Sequence, residues 1–148
     1  MEDLVRTLET GNHSLVVRNG DVRRTFDGRG VSDLYRLLHE EPEILDGAEA
    51  ADKVVGKGAA ALMAAAHVSA VYAGIISRPA LELLAKAGIS TTYGMLVDGI
   101  VNRAGTGPCP LEALCMDCHT PEECLPRIDS FIAEMRQKVN VHVPSTES

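Results

Sequence analysis

The sequence contains no tryptophan, and aromatic residues make up only 3% of its 148 positions. Proteins that bind single-stranded nucleic acid stack the bases on aromatic side chains, so this scarcity argues against that function. A basic cluster is also missing, because the net charge is −7 and the longest basic feature is Arg23-Arg24, flanked by Asp21 and Asp27. A surface that neutralises phosphates needs clustered positive charge. We therefore expect no nucleic-acid partner.

Long apolar runs are missing as well, and none approaches the roughly 20 residues that a membrane-spanning helix needs. The first residues, MEDLVRTLET, lack the basic-then-apolar order of a secretion signal. We therefore expect no membrane partner and a cytoplasmic location, where thiols are mostly reduced. A chain of 148 residues suits one compact domain.

Local patterns predict alternating strands and helices. Asn19-Gly20 separates two apolar segments and indicates a β-hairpin, because both residues tolerate positive φ. Two later segments, SAVYAGII and TTYGMLV, predict strands, and SRPALELLAKAGI between them predicts a capped helix. A strand–helix–strand order predicts parallel pairing through right-handed crossovers. We expect one α/β domain at residues 1–138, followed by a flexible tail at 139–148.

The segment at residues 46–68 predicts one long buried helix. Asp46 and Glu49 have the spacing of a capping box, and apolar residues lie almost all round the predicted helix. Gly56 and Gly58 each cost about 1 kcal/mol relative to alanine inside a helix. Close packing against a sheet, or the close approach of a ligand, must offset that cost.

The order of elements, a hairpin followed by alternating helices and strands, resembles the cytidine deaminase-like fold. Three stretches, ADKVVGKGAA, SRPALELLAKAGI and NRAGTGPCPLE, are similar to an uncharacterised prokaryotic family, a domain of unknown function placed in the deaminase-like superfamily. The resemblance covers residues 2–135 and implies a mixed sheet with helices packed on its faces. It specifies no reaction.

The residues that hold zinc in that superfamily are missing from this sequence. Zinc deaminases carry H-x-E at the start of one helix and P-C-x-x-C at the start of the next. The corresponding positions hold ADK (residues 51–53) and PALEL (residues 79–83). The triplet HEE (residues 39–41) satisfies H-x-E but lies at the end of a predicted helix. We expect no catalytic zinc at the deaminase position.

Charged residues of the predicted buried helix are the first candidates for a site. A helix N-terminus suits a carboxylate or phosphate, and Lys53 and Lys57 would lie one turn apart on one face. Partial desolvation would lower their pKa values and make one of them an acid, base or nucleophile, with Asp52 as a partner. Lys53, Lys57 and Asp52 are therefore catalytic candidates. Alternatively, both lysines reach past the core into water.

The segment NRAGTGPCPLE supplies a second group of candidates, for ligand binding. Arg103 can clamp a carboxylate or phosphate, Asn102 and Thr106 can orient it, and glycines beside Thr106 let backbone N–H groups approach. Cys109 could line the pocket with a lowered pKa, and Glu112 could act as an acid or base. Alternatively, the segment is a structural loop, and Glu112 completes the cap of the next helix.

All the cysteines, Cys109, Cys115, Cys118 and Cys124, fall in one short stretch. Four thiolates can hold zinc or an iron–sulfur cluster. The spacing C-x5-C-x2-C-x5-C contains one C-x2-C pair, however, whereas common structural zinc sites use two. A metal or cluster on the four cysteines, a redox pair, and simple packing of small side chains all stay open.

These observations predict a protein that binds a small polar or anionic metabolite and lacks the catalytic zinc of the superfamily. If the protein is an enzyme, it transforms that metabolite. The alternative is a cysteine-ligated metal or iron–sulfur protein with a redox or sensing role. A third alternative is an interaction domain whose apolar helices face another subunit, which includes a homo-oligomer. Whether the chain is an enzyme stays open, because fold does not determine function.

Overall fold

A computed structural model of the chain describes residues 1–28, 31–101 and 105–147, and only the helical backbone of residues 138–147. The described residues form one five-stranded mixed sheet with helices on its faces, which confirms the predicted single α/β domain. The elements in chain order are α1 (Glu2–Thr10), β1 (Leu15–Asn19), β2 (Val22–Phe26), α2 (Ser32–Glu40), α3 (Pro42–Leu45), β3 (Glu49–Val55), α4 (Lys57–Ala65), β4 (Ala70–Ser77), α5 (Arg78–Lys86), β5 (Ser90–Val97), α6 (Pro110–Cys115) and α7 (Pro121–Glu147).

The strands lie in the order β2-β1-β3-β4-β5. Strand β1 is antiparallel to β2 and β3, whereas β3, β4 and β5 are parallel and are connected through α4 and α5. The backbone of residues 139–147 continues α7, and the predicted domain boundary at residue 138 stays a prediction. Among the helices that the structure describes, none is both long enough and apolar enough to cross a membrane.

The hairpin predicted from Asn19-Gly20 is confirmed. Asn19 pairs with Val22, so Gly20 and Asp21 are the turn residues, and Gly20 has a φ of +60°. Glycine reaches this conformation without strain, which suits a two-residue turn. The Asn19 side-chain amide donates to the backbone carbonyl of Asp46 at 2.9 Å and fixes the hairpin against the loop before β3.

The prediction of one buried helix over residues 46–68 is wrong. Residues Glu49–Val55 form β3, the central strand, and α4 begins only at Lys57. Asp46 and Glu49 therefore form no capping box, because Asp46 follows α3 and the Glu49 carboxylate accepts from an arginine of β1 at 2.7 Å. A short apolar run fits a buried strand and a buried helix equally well, and here a glycine marks the boundary between them.

Two groups of buried side chains occupy opposite faces of the sheet. Helices α2, α4 and α5 contribute to the main core on one face, and nearly every residue of α4 is buried. Helix α1 covers part of the other face, where Leu4 and Leu8 pack with Val16 and Ala51. Because side chains alternate along a strand, Ala50 faces the main core and Ala51 faces α1.

The three parallel strands share an irregularity at one level of the sheet. The pairing skips Lys53, Gly74 and Gly94 and resumes one residue later on each strand. A Cβ on Gly74 would lie 2.7 Å from the Lys53 backbone oxygen, and one on Gly94 would lie 2.9 Å from the Gly74 oxygen, so this close approach requires glycine. The residues that follow are exposed and form what we call the apolar row, Val54, Ile75 and Met95.

Candidate functional site

Glu112 lies in the first turn of α6 and is only 2% exposed. Its Oε2 accepts hydrogen bonds from the backbone N–H of Lys57 and from the hydroxyl of Ser77, each at 2.7 Å. Its Oε1 accepts from the backbone N–H of Ile100, also at 2.7 Å. Donors from three separate segments therefore enclose one carboxyl group.

These donors mark the carboxyl ends of the three parallel strands. Lys57 follows β3 and opens α4, and Ile100 follows β5. Ser77 ends β4 and caps α5, where its hydroxyl oxygen accepts from the N–H of Ala80 at 3.3 Å. Open α/β sheets bind ligands at these strand ends, and helix N-termini attract anions. Here the protein's own Glu112 takes the anion position at the start of α4.

Glycines on either side of Lys57 make room for α6. A Cβ on Gly56 would lie 2.9 Å from Oε2 of Glu112, and a Cβ on Gly58 would lie 2.6 Å from Cδ2 of Leu111. Neither distance allows a side chain without a shift of its neighbour. Close packing of α6 therefore offsets the cost of glycine at the start of α4, although the packing is against a helix and not against the sheet.

The Lys57 side chain reaches the other end of α6. Its Nζ donates to the backbone carbonyls of Met116 at 2.9 Å and Cys118 at 2.5 Å, and the residue is buried. Carbonyls at the end of a helix lack intrahelical donors, so this ammonium group satisfies them. Lys57 thus joins α4 to both ends of α6, and its ammonium group stabilises the fold.

The structure does not bring the three predicted catalytic residues together. Lys53 lies exposed in β3, where its Nζ donates to the Asn12 side-chain oxygen at 2.6 Å, in the turn after α1. Lys57 belongs to a different element, so the prediction that the two lysines share one helical face is wrong. The two side chains leave opposite faces of the sheet, because α4 packs on the face away from α1.

Asp52 follows Ala51 in β3, so its side chain faces the main core. The residue is half-buried, and its Oδ1 accepts a long hydrogen bond from the N–H of Val54 at 3.4 Å. Burial raises the pKa of Asp52 to about 7, and the negative charge of Asp33 also raises it. Hydrogen bonds from the N–H groups of Val54 and Lys53 lower this pKa by a smaller amount than burial raises it. Within the described residues, no lysine, arginine or histidine forms an ion pair with it.

The loop after β5 is closed at its base. The N–H of Cys109 donates to the Ile100 carbonyl at 2.8 Å, and an isolated antiparallel bridge joins Val101 to Pro108. Glu112 holds this base through the N–H of Ile100. The carboxyl group predicted to contact a ligand is therefore occupied by protein donors, and it positions the loop.

The other predicted ligand-binding residues belong to this same loop. Thr106 is exposed in it, and Cys109 is half-buried at the N-cap of α6. Asn102 and Arg103 lie outside the described residues. A ligand site on the loop stays a prediction.

The four cysteines divide into two groups. Cys109 lies at the start of α6, whereas Cys115, Cys118 and Cys124 are buried near the end of α6 and the start of α7. The thiols of Cys115 and Cys118 each interact with that of Cys124 through a hydrogen bond. The bond with Cys124 lowers the pKa of Cys115 and correspondingly raises that of Cys124, whereas burial raises the pKa of Cys118.

Cys109 is separated from the other three cysteines, and a metal or cluster on all four stays a prediction. Cys109 and Cys115 flank α6, about 9 Å apart along its axis at 1.5 Å per residue. In residues 1–28, 31–101 and 105–137, no group of three or more His, Cys, Asp or Glu side chains is placed to hold a metal ion. We therefore derive no chemistry from a metal or cluster, and a redox role of the thiols stays a prediction.

Sequence patterns did not reveal Ser77 and Ile100 as partners of Glu112. The Ser-x-x cap signal marks Ser77 as the start of a helix, and that cap is confirmed. The rule that carboxyl ends of parallel strands meet at one edge would have placed it near the candidate site. Ile100 contributes a backbone N–H, for which no side-chain pattern gives a signal.

The fold and this site define a single-domain α/β protein in which one buried glutamate joins the ends of three parallel strands. The chain matches the family model described as TM1506, a domain of unknown function (DUF1893), over residues 3–132, and it belongs to that family. The similarity to an uncharacterised family predicted from three short stretches is thereby confirmed.

The chain is also similar to a solved structure over most of its length. The crystal structure of a DUF1893 family protein (TM1506) from Thermotoga maritima has a TM-score of 0.78 and 27% sequence identity. The similarity covers 88% of this chain and 90% of that one. No curated protein matches the chain.

Proposed function

We propose that this protein binds a small polar metabolite beside Asp52 and exchanges a proton with it. The supporting observation is a half-buried carboxyl group on the main-core side of β3 that accepts a long hydrogen bond, 3.4 Å, from the N–H of Val54. Buried carboxyl groups are normally paired with a cation or bonded by strong donors. A ligand that supplies a donor to Asp52 would therefore also stabilise the folded chain.

The local charge favours a ligand group that donates hydrogen bonds. Asp33 lies close enough to Asp52 to raise its pKa, so two acidic groups act on the same region. An anionic group would be repelled there, whereas an amine, an amidine or a ring N–H would be attracted. A nitrogen-rich group such as a nucleobase is the chemistry that fits. An anionic part of the same ligand would have to lie elsewhere, and the loop with Arg103 is the candidate.

A carboxyl group with a pKa of about 7 suits proton transfer. Near neutral pH it is present in both protonation states, so it can donate or accept a proton without a large energetic cost. In the enzymatic version of the proposal, Asp52 moves a proton to or from the ligand nitrogen that it contacts. In the binding version, the same hydrogen bond forms and the ligand is released unchanged.

A relationship to the deaminase-like superfamily, and a cytoplasmic location, belong to the same proposal. A hairpin that precedes the alternating strands and helices, and the sheet order β2-β1-β3-β4-β5, support the relationship. Zinc deaminases place their ligands at the starts of two helices. Helices α4 and α5, which follow the parallel strands β3 and β4, start with Lys57-Gly58-Ala59 and Arg78-Pro79-Ala80, which include no histidine or cysteine. Asp52 is the proton-exchanging group that we assign in their place.

A thermal-shift screen with nucleobases, nucleosides, nucleotides and small carboxylic acids tests the proposal. We expect a nitrogen-donor ligand to raise the Tm of the wild type by several degrees, with a larger rise at pH 8 than at pH 5. The reason is that the ionised carboxyl group gains more from a donor than the neutral group does. Asp52→Asn should abolish the shift, and Asp21→Asn, in the exposed hairpin turn, should keep it.

Two outcomes would contradict the proposal. A shift that survives unchanged in Asp52→Asn would place the ligand elsewhere on the protein. A response confined to small carboxylic acids would show that the site prefers anions, which is the reverse of the charge argument. Incubation of any responding ligand with the wild type, followed by mass spectrometry, distinguishes binding from turnover.

A further inference from the structure

The two edges of the sheet differ in charge. Edge strand β2 contains Arg23 and Arg24, and Arg24 donates to the Glu41 carboxylate at 3.3 Å. Edge strand β5 contains no charged residue. Unpaired main-chain groups on an edge can pair with another chain, and charged side chains on the edge normally prevent this. Strand β2 has that protection, whereas β5 does not.

The side chains of β5 are also available to a partner. No residue of β5 is fully buried, and the exposed fractions of Tyr93 and Met95 are 42% and 57%. Met95 ends the apolar row that crosses β3, β4 and β5. The row therefore reaches the open edge of the sheet, where a monomeric protein gains nothing from an exposed apolar side chain.

The charges at the two ends of β5 favour one orientation of a partner strand. Lys86 ends α5 shortly before β5, and Asp98 directly follows β5, with its side chain 93% exposed and one oxygen 2.8 Å from Nε of Arg78. An antiparallel copy of β5 would bring Lys86 of each chain towards Asp98 of the other. A parallel copy would bring like charges together.

We propose that a second copy of this chain pairs with β5 in the antiparallel orientation, about a two-fold axis near Gly94. The contact is isologous, because the same strand serves on both chains. The two sheets then continue as one ten-stranded sheet, and the two apolar rows meet at Met95. This pairing satisfies the main-chain groups on the open edge and covers the apolar side chains beside it.

Light scattering on the full chain over a concentration series tests the pairing. We expect a wild-type mass of twice the 15.8 kDa of one chain. Met95→Lys places two like charges beside the two-fold axis and should raise the dissociation constant at least about tenfold. Val22→Lys makes a similar change at an exposed residue of β2 and should keep the dimer. Circular dichroism of both variants checks that the fold is retained.

A second variant addresses the orientation of the strands. Lys86→Glu should weaken the dimer about threefold or more at low salt and less at high salt, because it places a carboxylate near Asp98 of the other chain. A wild-type chain that has the single-chain mass at every concentration overturns the proposal. A dimer that is unchanged by both Met95→Lys and Lys86→Glu also overturns it, because the interface then lies elsewhere.

Discussion

Glu112 and Asp52 are carboxyl groups enclosed by the same domain, and they differ in the donors around them. Glu112 accepts three hydrogen bonds at 2.7 Å, from the segments that follow β3 and β5 and from the last residue of β4. Asp52 accepts a bond of 3.4 Å from its own strand, and its pKa is raised to about 7. The first carboxyl group stabilises the fold, whereas the second is the group to which we assign proton exchange in the proposed function.

The comparison shows what a candidate site requires beyond a buried acid. Donors that come from separate elements make removal of the acceptor costly, because each donor is left without a partner. Where such donors are missing, burial destabilises the charged form of the carboxyl group, and a ligand that donates a hydrogen bond to it stabilises that form. Both residues were candidates from the sequence, and only their surroundings separate the two roles.

Among the substitutions that test this comparison, Glu112→Gln should change the free energy of unfolding most. The amide keeps one acceptor oxygen and places N–H groups against donors, so we expect the free energy of unfolding to fall by about 3 to 5 kcal/mol. Chemical denaturation at pH 7 measures the loss. Glu9→Gln, at an exposed position of α1, should change stability by no more than about 0.5 kcal/mol. Equal losses in the two variants would show that Glu112 does not join the strand ends.

The substitution Asp52→Asn should act in the opposite direction and depend on pH. The folded pKa of about 7 lies above the ordinary value of 3.8, so the folded chain holds this proton more tightly than the unfolded chain. The wild type therefore loses stability as the pH rises from 4 through 7, and an amide at position 52 escapes that loss.

We expect Asp52→Asn to be about 2 to 3 kcal/mol more stable than the wild type at pH 8 and nearly equal to it at pH 4. This is less than the shift alone would give at 1.36 kcal/mol per pKa unit, since the residue is only half-buried. Denaturation curves at the two pH values provide the measurement, with Asp21→Asn as the control. A stability difference that does not change with pH would mean that Asp52 titrates normally.

The substitution Ser77→Ala removes one donor from Glu112 and also the cap of α5. We expect a loss of about 1 to 2 kcal/mol, against almost none for Ser90→Ala at an exposed position of β5. The double variant Ser77→Ala/Glu112→Gln should lose less than the sum of the two single losses, because the residues share one interaction. Strict additivity in denaturation experiments would argue against the shared bond.

The substitution Gly56→Ala has the smallest expected effect and removes no polar group. Its Cβ would lie 2.9 Å from Oε2 of Glu112, so the carboxyl group must shift and its hydrogen bonds must lengthen. We expect a loss of about 1 kcal/mol. Gly107→Ala, where a Cβ has no neighbour within 4 Å, should be neutral. A neutral result at Gly56 as well would indicate that the Glu112 contacts tolerate displacement.

Local patterns predicted a large part of the fold. The hairpin, strands β4 and β5 and the cap of α5 follow from signals within a few residues, and the structure confirms them, with Gly20 and Asp21 and not Asn19 and Gly20 as the turn residues. The parallel pairing follows from the order of strands and helices and is also confirmed. The error lies at β3, where residues 49–55 form a strand and not the first half of a helix. Ala50 and Ala51 are buried on opposite faces of the sheet, so this segment lacks the alternation that distinguishes a strand, and pairing with β1 and β4 decides its structure.

The sequence by itself determined the class of protein, most of the elements and the set of candidate acids and lysines. Tertiary structure alone decided what each candidate does, because the deciding hydrogen bonds join residues that are far apart in the chain. Glu112 meets Lys57 across 55 residues and Ser77 across 35. A carboxyl group has a structural role where distant donors converge on it and a raised pKa where burial is not matched by such donors, and sequence spacing does not encode that convergence.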